Sequence, residues 1–142
     1  YSIYWQMAKK YDLQNLMGEG MAIAGEIIGS KIQGNPLKIE GNEFHVFNVK
    51  DLNDDSYLSY DDMLLTLEGS GLNVVKEVKR IEGSDIQNIS LDFFQSLANE
   101  QKYGNDPAEG IVIRGFKNNQ TVYSPTLQKM LSVKVINQDY VD

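Results

Sequence analysis

Hydrophobic and polar positions along the chain predict a mixture of helices and strands. Apolar residues at nearly helical spacing predict a helix over residues 2–17, and the glycine-containing MGEG at 17–20 ends it. Apolar runs predict two strands, at residues 21–29 and 44–52. Neither face of the second strand is wholly polar, which is typical of an interior strand. A connection rich in Gly, Asn and Pro joins them.

The rest of the chain continues this mixture with shorter elements. Ser59 is predicted to cap a helix that reaches about Ser70, with Gly71 just beyond its end, and Ser90 to cap a second short helix. Further strands are predicted at 73–81, 111–116 and 133–136, with a turn-rich loop at 103–110 and a hairpin turn at 118–119. Because the elements do not alternate regularly, we predict an α+β fold with mainly antiparallel sheets flanked by helices.

Composition limits the classes of function. The 142 residues suit a single domain over residues 1–142, and no run approaches the ~20 apolar residues of a membrane helix, so no membrane partner is expected. The net charge of −7 argues against a basic nucleic-acid surface, although a local basic groove stays open. The absence of cysteine excludes disulfides and thiolate metal sites and fits a cytoplasmic location. Since the chain begins with Tyr1, we expect a piece of a longer protein.

Three charged residues lie in or beside apolar strands: Glu26 in AIAGEIIG, Glu109 in AEGIVIRG and Lys134 in LSVKVIN. A buried strand should not contain a charge unless that charge is paired or serves a site. Gly25 and Gly110 adjoin the two acids, and a residue without Cβ lets a ligand or another backbone approach closely. Any one segment alone has a structural explanation, a turn or a lysine that reaches water. Their joint occurrence predicts a cleft for a polar ligand.

Two ring-bearing residues of the second strand have alternative interpretations. Phe47, beside Asn48, could stack on a nucleic-acid base or could be an ordinary core residue. His45 alternates with Phe44 and Val46, which favours a surface or packing role over a general base.

Four segments in this order, GEIIGSKIQGNP, FHVFNV, EGIVIRG and SVKVIN, resemble the ATP-dependent RNA ligase family. These enzymes are covalent nucleotidyltransferases, as are DNA ligases and mRNA capping enzymes. The resemblance covers most of the chain, and the first segment is specific to RNA ligases within that superfamily. It implies a partial ligase/capping-enzyme nucleotidyltransferase domain, ATP-grasp-like in fold, that corresponds to the later part of the adenylyltransferase domain.

The resemblance implies roles for four residues. Glu26 would accept hydrogen bonds from the ribose hydroxyls of ATP, and Phe47 would stack on adenine. Glu109 would help to hold Mg²⁺ or Mn²⁺ near the phosphates, and Lys134 would contact the α-phosphate and stabilise charge in the transition state. A carboxylate suits hydroxyl donors or a hard cation, and an ammonium suits a phosphate. RNA ends would be the substrate.

The sequence departs from the family pattern in three places. Ile136 stands where some relatives have a second lysine, and Asn48 where some have Asp; Arg114 or Lys129 could substitute for the lysine. The Lys-x-Asp-Gly motif that carries the nucleophile is absent from this sequence, and the resemblance implies that it lies upstream of Tyr1. We therefore expect the chain alone to be inactive, and apolar surface exposed by truncation to favour self-association.

Three other functions stay open at this point. The chain could come from a DNA ligase or capping-type nucleotidyltransferase, because stacking and ribose contacts do not reveal the nucleotide or the strand that is joined. It could instead be a non-catalytic nucleotide or nucleic-acid binding module that lacks the nucleophile. A folded remnant without ligand affinity is the third alternative.

Overall fold

The computed structural model describes residues 2–140, which form helices and short strands in mixed order. The helices are α1 Ile3–Lys10, α2 Leu13–Met17, α3 Tyr60–Thr66 and α4 Leu91–Asn99, with a 3-10 turn at Ile86–Asn88. The strands are β1 Met21–Gly29, β2 Asn42–Asp51, β3 Ser56–Tyr57, β4 Asn73–Val74, β5 Lys102–Tyr103, β6 Asp106–Pro107, β7 Gly110–Arg114, β8 Phe116–Lys117, β9 Gln120–Thr121, β10 Tyr123–Ser124, β11 Lys129–Met130 and β12 Ser132–Ile136.

The main sheet is built on β2. Strand β1 pairs antiparallel with the whole length of β2. Strands β3 (antiparallel) and β4 (parallel) each pair with two residues of β2. The predicted interior strand is therefore confirmed. The register places Ala24 opposite Asn48 but Gly25 opposite Val46, so that Phe47 has no partner on β1. This extra residue is a β-bulge, a feature that bends a strand and re-aims a side chain.

One face of the main sheet packs against the helices. Phe44, Val46 and Val49 of β2 are buried there with residues of α1, α3 and the end of α3: Met7, Met63 and Leu67. Met21, Ile23 and Ile27 of β1 pack on the same cluster. Because side chains alternate along a strand, the opposite face carries Ala24 and Glu26. That second face is the one from which the candidate site is built.

The second half of the chain forms a smaller sheet of β7 and β12, which pair antiparallel. Helix α4 lies against both strands, and Gln95 Nε2 donates to the carbonyl of Ile136 at 2.8 Å. Ser90 caps α4 by accepting from the Phe93 N–H, as predicted. Three hairpins, β5/β6, β8/β9 and β10/β11, complete this half. The predicted α+β class with mainly antiparallel pairing is confirmed.

Several local predictions are also confirmed. Strand β1 covers residues 21–29 as the pattern indicates, and β2 lies within two residues of its predicted bounds. Asn118 and Asn119 have φ of 52° and 60° and join β8 to β9. Two consecutive positive φ values are the mark of the tight turn that asparagine favours. The last strand, predicted at 133–136, is β12.

Four predicted elements are wrong in extent. The strand predicted at 111–116 is interrupted, because β7 ends at Arg114 and β8 begins at Phe116. The helix over 2–17 is two helices, because Asp12 has φ 50° and interrupts the helical hydrogen bonds. Helix α3 ends at Thr66 rather than near Ser70. The strand at 73–81 pairs only at Asn73–Val74. Beyond it the chain leaves the sheet, because the Phe47 bulge interrupts β2 and β3 takes the remaining edge.

None of the helices in residues 2–140 has the length and apolar character that a bilayer crossing requires.

Candidate functional site

The ion pair between Glu109 and Lys134 lies on the smaller sheet. Lys134, opposite Val112 in the register, donates to the carboxylate of Glu109, which directly precedes β7. The Glu109 carbonyl accepts from the Asn137 N–H at 2.8 Å, so the backbone is fixed beside the carboxylate. The side chains are 40% (Glu109) and 51% (Lys134) exposed, so water and ligands can reach both.

Gly110 explains how these two side chains meet. In a regular strand Glu109 would point to the face opposite Val112, and therefore away from Lys134. Gly110 has φ +146°, which interrupts this alternation. A Cβ at Gly110 would lie 2.0 Å from the Val135 carbonyl oxygen. The glycine therefore permits close approach of two backbones here, the second of the two alternatives that the sequence left open.

Arg114 joins the smaller sheet to the main sheet. One of its guanidinium nitrogens, Nη1, donates to the Phe47 carbonyl at 2.7 Å and also to Oδ1 of Asn48. The guanidinium carbon lies 6.0 Å from the centroid of the Phe47 ring, within the range of a cation–π contact. Burial lowers the pKa of the guanidinium, which nevertheless stays charged at neutral pH.

Glu26 lies on the same face of the main sheet as this contact. It is exposed and stands opposite His45 in the β1–β2 register. Ala24, two residues before it on the same face, stands opposite Asn48, to which Arg114 donates. Arg114 lies on β7, and the partner strand β12 carries Lys134. The contact of Arg114 with Asn48 therefore connects the smaller sheet to the face of the main sheet that carries Glu26. Phe47, half-buried in the bulge, lies on the intervening strand.

Next to Glu26 lies a hydrogen-bonded group that the sequence pattern does not predict. Glu43 Oε2 is 2.8 Å from His45 Nε2 and accepts from the Tyr103 hydroxyl at 2.9 Å. The His45 hydrogen bond is the main cause that lowers the pKa of Glu43, with Tyr103 adding to it against the effect of burial. Burial, and then the bond to Glu43, raises the pKa of Tyr103. Glu43 and His45 are alternate residues of one strand, but nothing in the sequence indicates that Tyr103 meets them.

The residues that could substitute for the missing second lysine differ in position. Arg114 already donates to Phe47 and Asn48, and it would have to leave them to bind a phosphate. Lys129 lies exposed on β11, which pairs with β10 and not with β12. Substitution by either residue stays a prediction.

Glu109 can serve as one ligand of a metal ion but not as a complete site. Within residues 2–140 there is no group of three or more His, Asp or Glu side chains that could hold a metal. Mg²⁺ is usually bound by one or two carboxylates together with substrate phosphates and water. A half-exposed carboxylate beside an ammonium fits that pattern, because phosphate oxygens would complete the coordination and also meet the ammonium.

A surface cavity of about 190 Å³ lies apart from the predicted site residues. It is lined by residues of the 30s connection, the β6 region and the C-terminal segment: Pro36, Lys38, Asp106, Pro107, Asp139 and Tyr140. Lys38 and Asp106 form an ion pair there at 2.8 Å. None of Glu26, Phe47, Glu109 and Lys134 lines it, so this cavity is not the predicted cleft.

Comparison with known protein families identifies the class. A family model described as RNA ligase matches residues 1–129, which is most of the chain, and the chain therefore belongs to the RNA ligase family. The matched range includes Glu26, Phe47 and Glu109 and ends before Lys134. No curated protein sequence matches the chain significantly.

Solved structures of Naegleria gruberi RNA ligase share the fold. A variant of that enzyme with ATP and Mn matches with a TM-score of 0.73 at 22% identity, over 94% of this chain and 38% of that chain. The same enzyme with PPi matches with a TM-score of 0.72 at 24% identity, again over 94% and 38%. The chain thus spans about 38% of the length of the structures it matches. At this identity the likeness concerns the fold.

Proposed function

We propose that the chain is the later part of the adenylyltransferase domain of an ATP-dependent RNA ligase. In this proposal it supplies nucleotide- and metal-binding residues, and the nucleophilic lysine lies elsewhere in the protein. Membership of the RNA ligase family supports the activity, and related structures contain ATP, AMP, PPi or Mn. The observation that carries the proposal is the exposed Glu109–Lys134 pair on the smaller sheet. Arg114 of the same sheet bonds Phe47 of the main sheet.

Lys134 and Glu109 would act at the phosphates. The lysine elsewhere in the protein attacks the α-phosphorus of ATP, forming a phosphorus–nitrogen bond and releasing pyrophosphate. Lys134 would neutralise the charge that develops on the α-phosphate oxygens as this bond forms. Glu109 would hold the ammonium of Lys134 in place and offer an oxygen to Mg²⁺ or Mn²⁺. The metal would supply further charge neutralisation at the phosphates.

Glu26 and Phe47 would bind the adenosine. The exposed carboxylate of Glu26 can accept from two ribose hydroxyls, and the ring of Phe47 can stack on adenine. AMP would then pass from the lysine to the 5′-phosphate of an RNA end, and the 3′-hydroxyl of another end would displace AMP and seal the strand. RNA ends and ATP are therefore the proposed partners. Self-association stays a prediction.

Labelling with radioactive ATP tests this function. In a longer form of the protein that includes a Lys-x-Asp-Gly segment, Glu26→Ala and Lys134→Ala should each lower covalent adenylylation by about 100-fold or more, because each removes a group that contacts the nucleotide. Lys76→Ala, which removes an exposed lysine far from these residues along the chain, is the control and should label normally. Normal labelling of both site variants would contradict the assigned roles.

The same assay separates the remaining candidates. The 142-residue chain should bind ATP without becoming labelled, because a neutral amine is needed to attack and its motif is absent from the sequence. Covalent label on this chain would contradict the proposal that the nucleophilic lysine lies elsewhere in the protein. Nucleotide binding by the longer protein without any labelling would favour a non-catalytic binding module. Sealing of nicked DNA in preference to RNA would favour a DNA ligase.

A further inference from the structure

Arg114 is not among the four residues given roles in the proposed function, and its environment is unusual for a charged side chain. Its bonds to Phe47 and Asn48 oppose the alternative that it contacts a phosphate. It is half-buried, and within residues 2–140 the ion pairs do not include it. Removing a charge from water without an opposite charge is unfavourable unless other groups satisfy it. Here those groups are the Phe47 carbonyl, the Asn48 side-chain oxygen and the face of the Phe47 ring.

All three groups belong to the β-bulge of the main sheet. Because Phe47 has no partner on β1, the ladder of hydrogen bonds between β1 and β2 does not fix its peptide or the direction of its ring. Arg114 reaches this peptide from the other sheet and bonds its carbonyl at 2.7 Å. The bulge is therefore fixed by a contact across the two sheets.

We propose that Arg114 is a positioning residue, which fixes the ring of Phe47 for stacking on a purine and so sets the affinity of the site for the nucleoside part of the nucleotide. This inference rests on the proposed function, because it requires that Phe47 receives adenine. It also explains the residue type. A planar guanidinium can donate to two acceptors and lie near a ring at the same time, whereas a lysine ammonium has no planar face.

The proposal makes the effect on binding selective. Losing Arg114 should weaken the binding of adenosine, which needs the ring, and should spare inorganic pyrophosphate, which has no base to stack on the ring. A merely structural role for Arg114 would weaken both ligands together, because an unfolded or distorted domain has no site for either.

Calorimetry on the 142-residue chain measures this selectivity. For Arg114→Lys we expect adenosine to bind on the order of tenfold more weakly, as for partial loss of a base–aromatic stack, with pyrophosphate affinity unchanged. Asn48→Asp, which keeps an acceptor for the guanidinium, should retain more adenosine affinity than Asn48→Leu. Arg80→Lys is the matched control, because Arg80 is an exposed arginine that pairs with Asp61 and Glu77. An equal loss of both ligands, or no loss of adenosine, would overturn the proposal.

Nuclear magnetic resonance of the ligand-free chain separates this inference from the proposed function. Arg114→Lys should shift the ring signals of Phe47 and speed hydrogen exchange in the bulge, whereas Arg80→Lys should leave both unchanged. If the wild-type chain binds neither adenosine nor pyrophosphate, the proposed function loses its support. The Phe47 signals and the hydrogen exchange still test the contact between Arg114 and Phe47 in that case. Unchanged Phe47 signals in Arg114→Lys would overturn the positioning role directly.

Discussion

At the scale of single residues, the charges within apolar strands have partners or reach water. Lys134 donates to Glu109, while Glu26 is exposed on the face of β1 that points away from the helices. The Glu109–Lys134 pair is itself about half exposed, and such pairs contribute only about 0–1 kcal/mol to folding. The pair therefore contributes little to the free energy of folding. Lys134 could leave Glu109 for a phosphate ligand with little loss of stability.

Gly25, next to Glu26, should tolerate no side chain. A Cβ there would lie 2.3 Å from the His45 carbonyl oxygen and 2.6 Å from the Phe44 ring, both in the centre of the main sheet. We expect Gly25→Ala to lower the free energy of unfolding by about 1–3 kcal/mol, because the strands must separate to admit the methyl group. Urea denaturation measures this loss.

Gly83→Ala is the matched control for that substitution. A Cβ at Gly83 would meet nothing within 4 Å, so its free energy of unfolding should stay within about 0.5 kcal/mol of wild type. Similar stabilities for the two variants would contradict the close packing of β1 against β2 at Gly25.

At the scale of elements, local signals located the beginnings of helices better than their ends. Ser59 and Ser90 cap α3 and α4 as predicted, because a serine hydroxyl accepts from an N–H one turn ahead and both groups are close in sequence. The break at Asp12 was missed because Asp gives a weak signal for a left-handed conformation. Its carboxylate accepts from the Asn15 side chain at 2.9 Å, in the second helix.

Removal of the cap of α3 should destabilise the protein. Ser59 is buried, and its hydroxyl accepts from the Asp62 N–H at 3.2 Å, so Ser59→Ala leaves that donor without its partner. The expected loss in the free energy of unfolding is about 1 kcal/mol by urea denaturation. Ser96→Ala changes an exposed serine within α4, where alanine favours the helix, and should not destabilise. Equal losses would argue against a capping role for Ser59.

At the scale of the whole molecule, polar contacts join the part of the chain from α4 to β12 to residues much earlier in the sequence. Arg114 bonds the bulge of β2, the Tyr103 hydroxyl bonds Glu43, and Asp106 pairs with Lys38. The residues joined by each contact are at least 60 positions apart in the sequence. The candidate site lies where the Arg114 contact joins the two sheets, so its geometry depends on residues that are distant in the sequence.

The Glu43 contact should make stability depend on pH. The pKa of Glu43 is lowered on folding, chiefly by its hydrogen bond with His45, so its contribution is present above the ordinary carboxyl range and is lost as the pH falls through it. We expect the free energy of unfolding to decrease between about pH 5 and pH 3, and to decrease less in Glu43→Gln. Urea denaturation at several pH values measures both.

Other carboxylates contribute to the same acid range and define the control. The pKa values of Asp61 and Asp55 are also lowered, by Arg80 and Lys50 respectively, but both carboxylates are exposed and remain in every variant. Asp54→Asn removes an exposed charge outside the Glu43 group and should keep the wild-type pH dependence. An identical pH dependence in Glu43→Gln and wild type would show that the Tyr103 and His45 contacts do not hold in solution.

The sequence by itself determined the features that depend on neighbouring residues. These are strands β1, β2 and β12, the serine caps, the asparagine turn, the α+β class and the family to which the chain belongs. Periodicity, capping and turn chemistry act over a few residues, and family motifs are read in order along the chain.

Only the tertiary structure decided which distant residues meet. It ended the strand predicted at 73–81 after two residues, because edge pairing depends on what else occupies β2. It also paired Lys134 with Glu109 through the φ of Gly110, and it brought Arg114 to Phe47 across 67 positions of sequence. Such contacts require the packing of two sheets, which no local pattern of residues specifies.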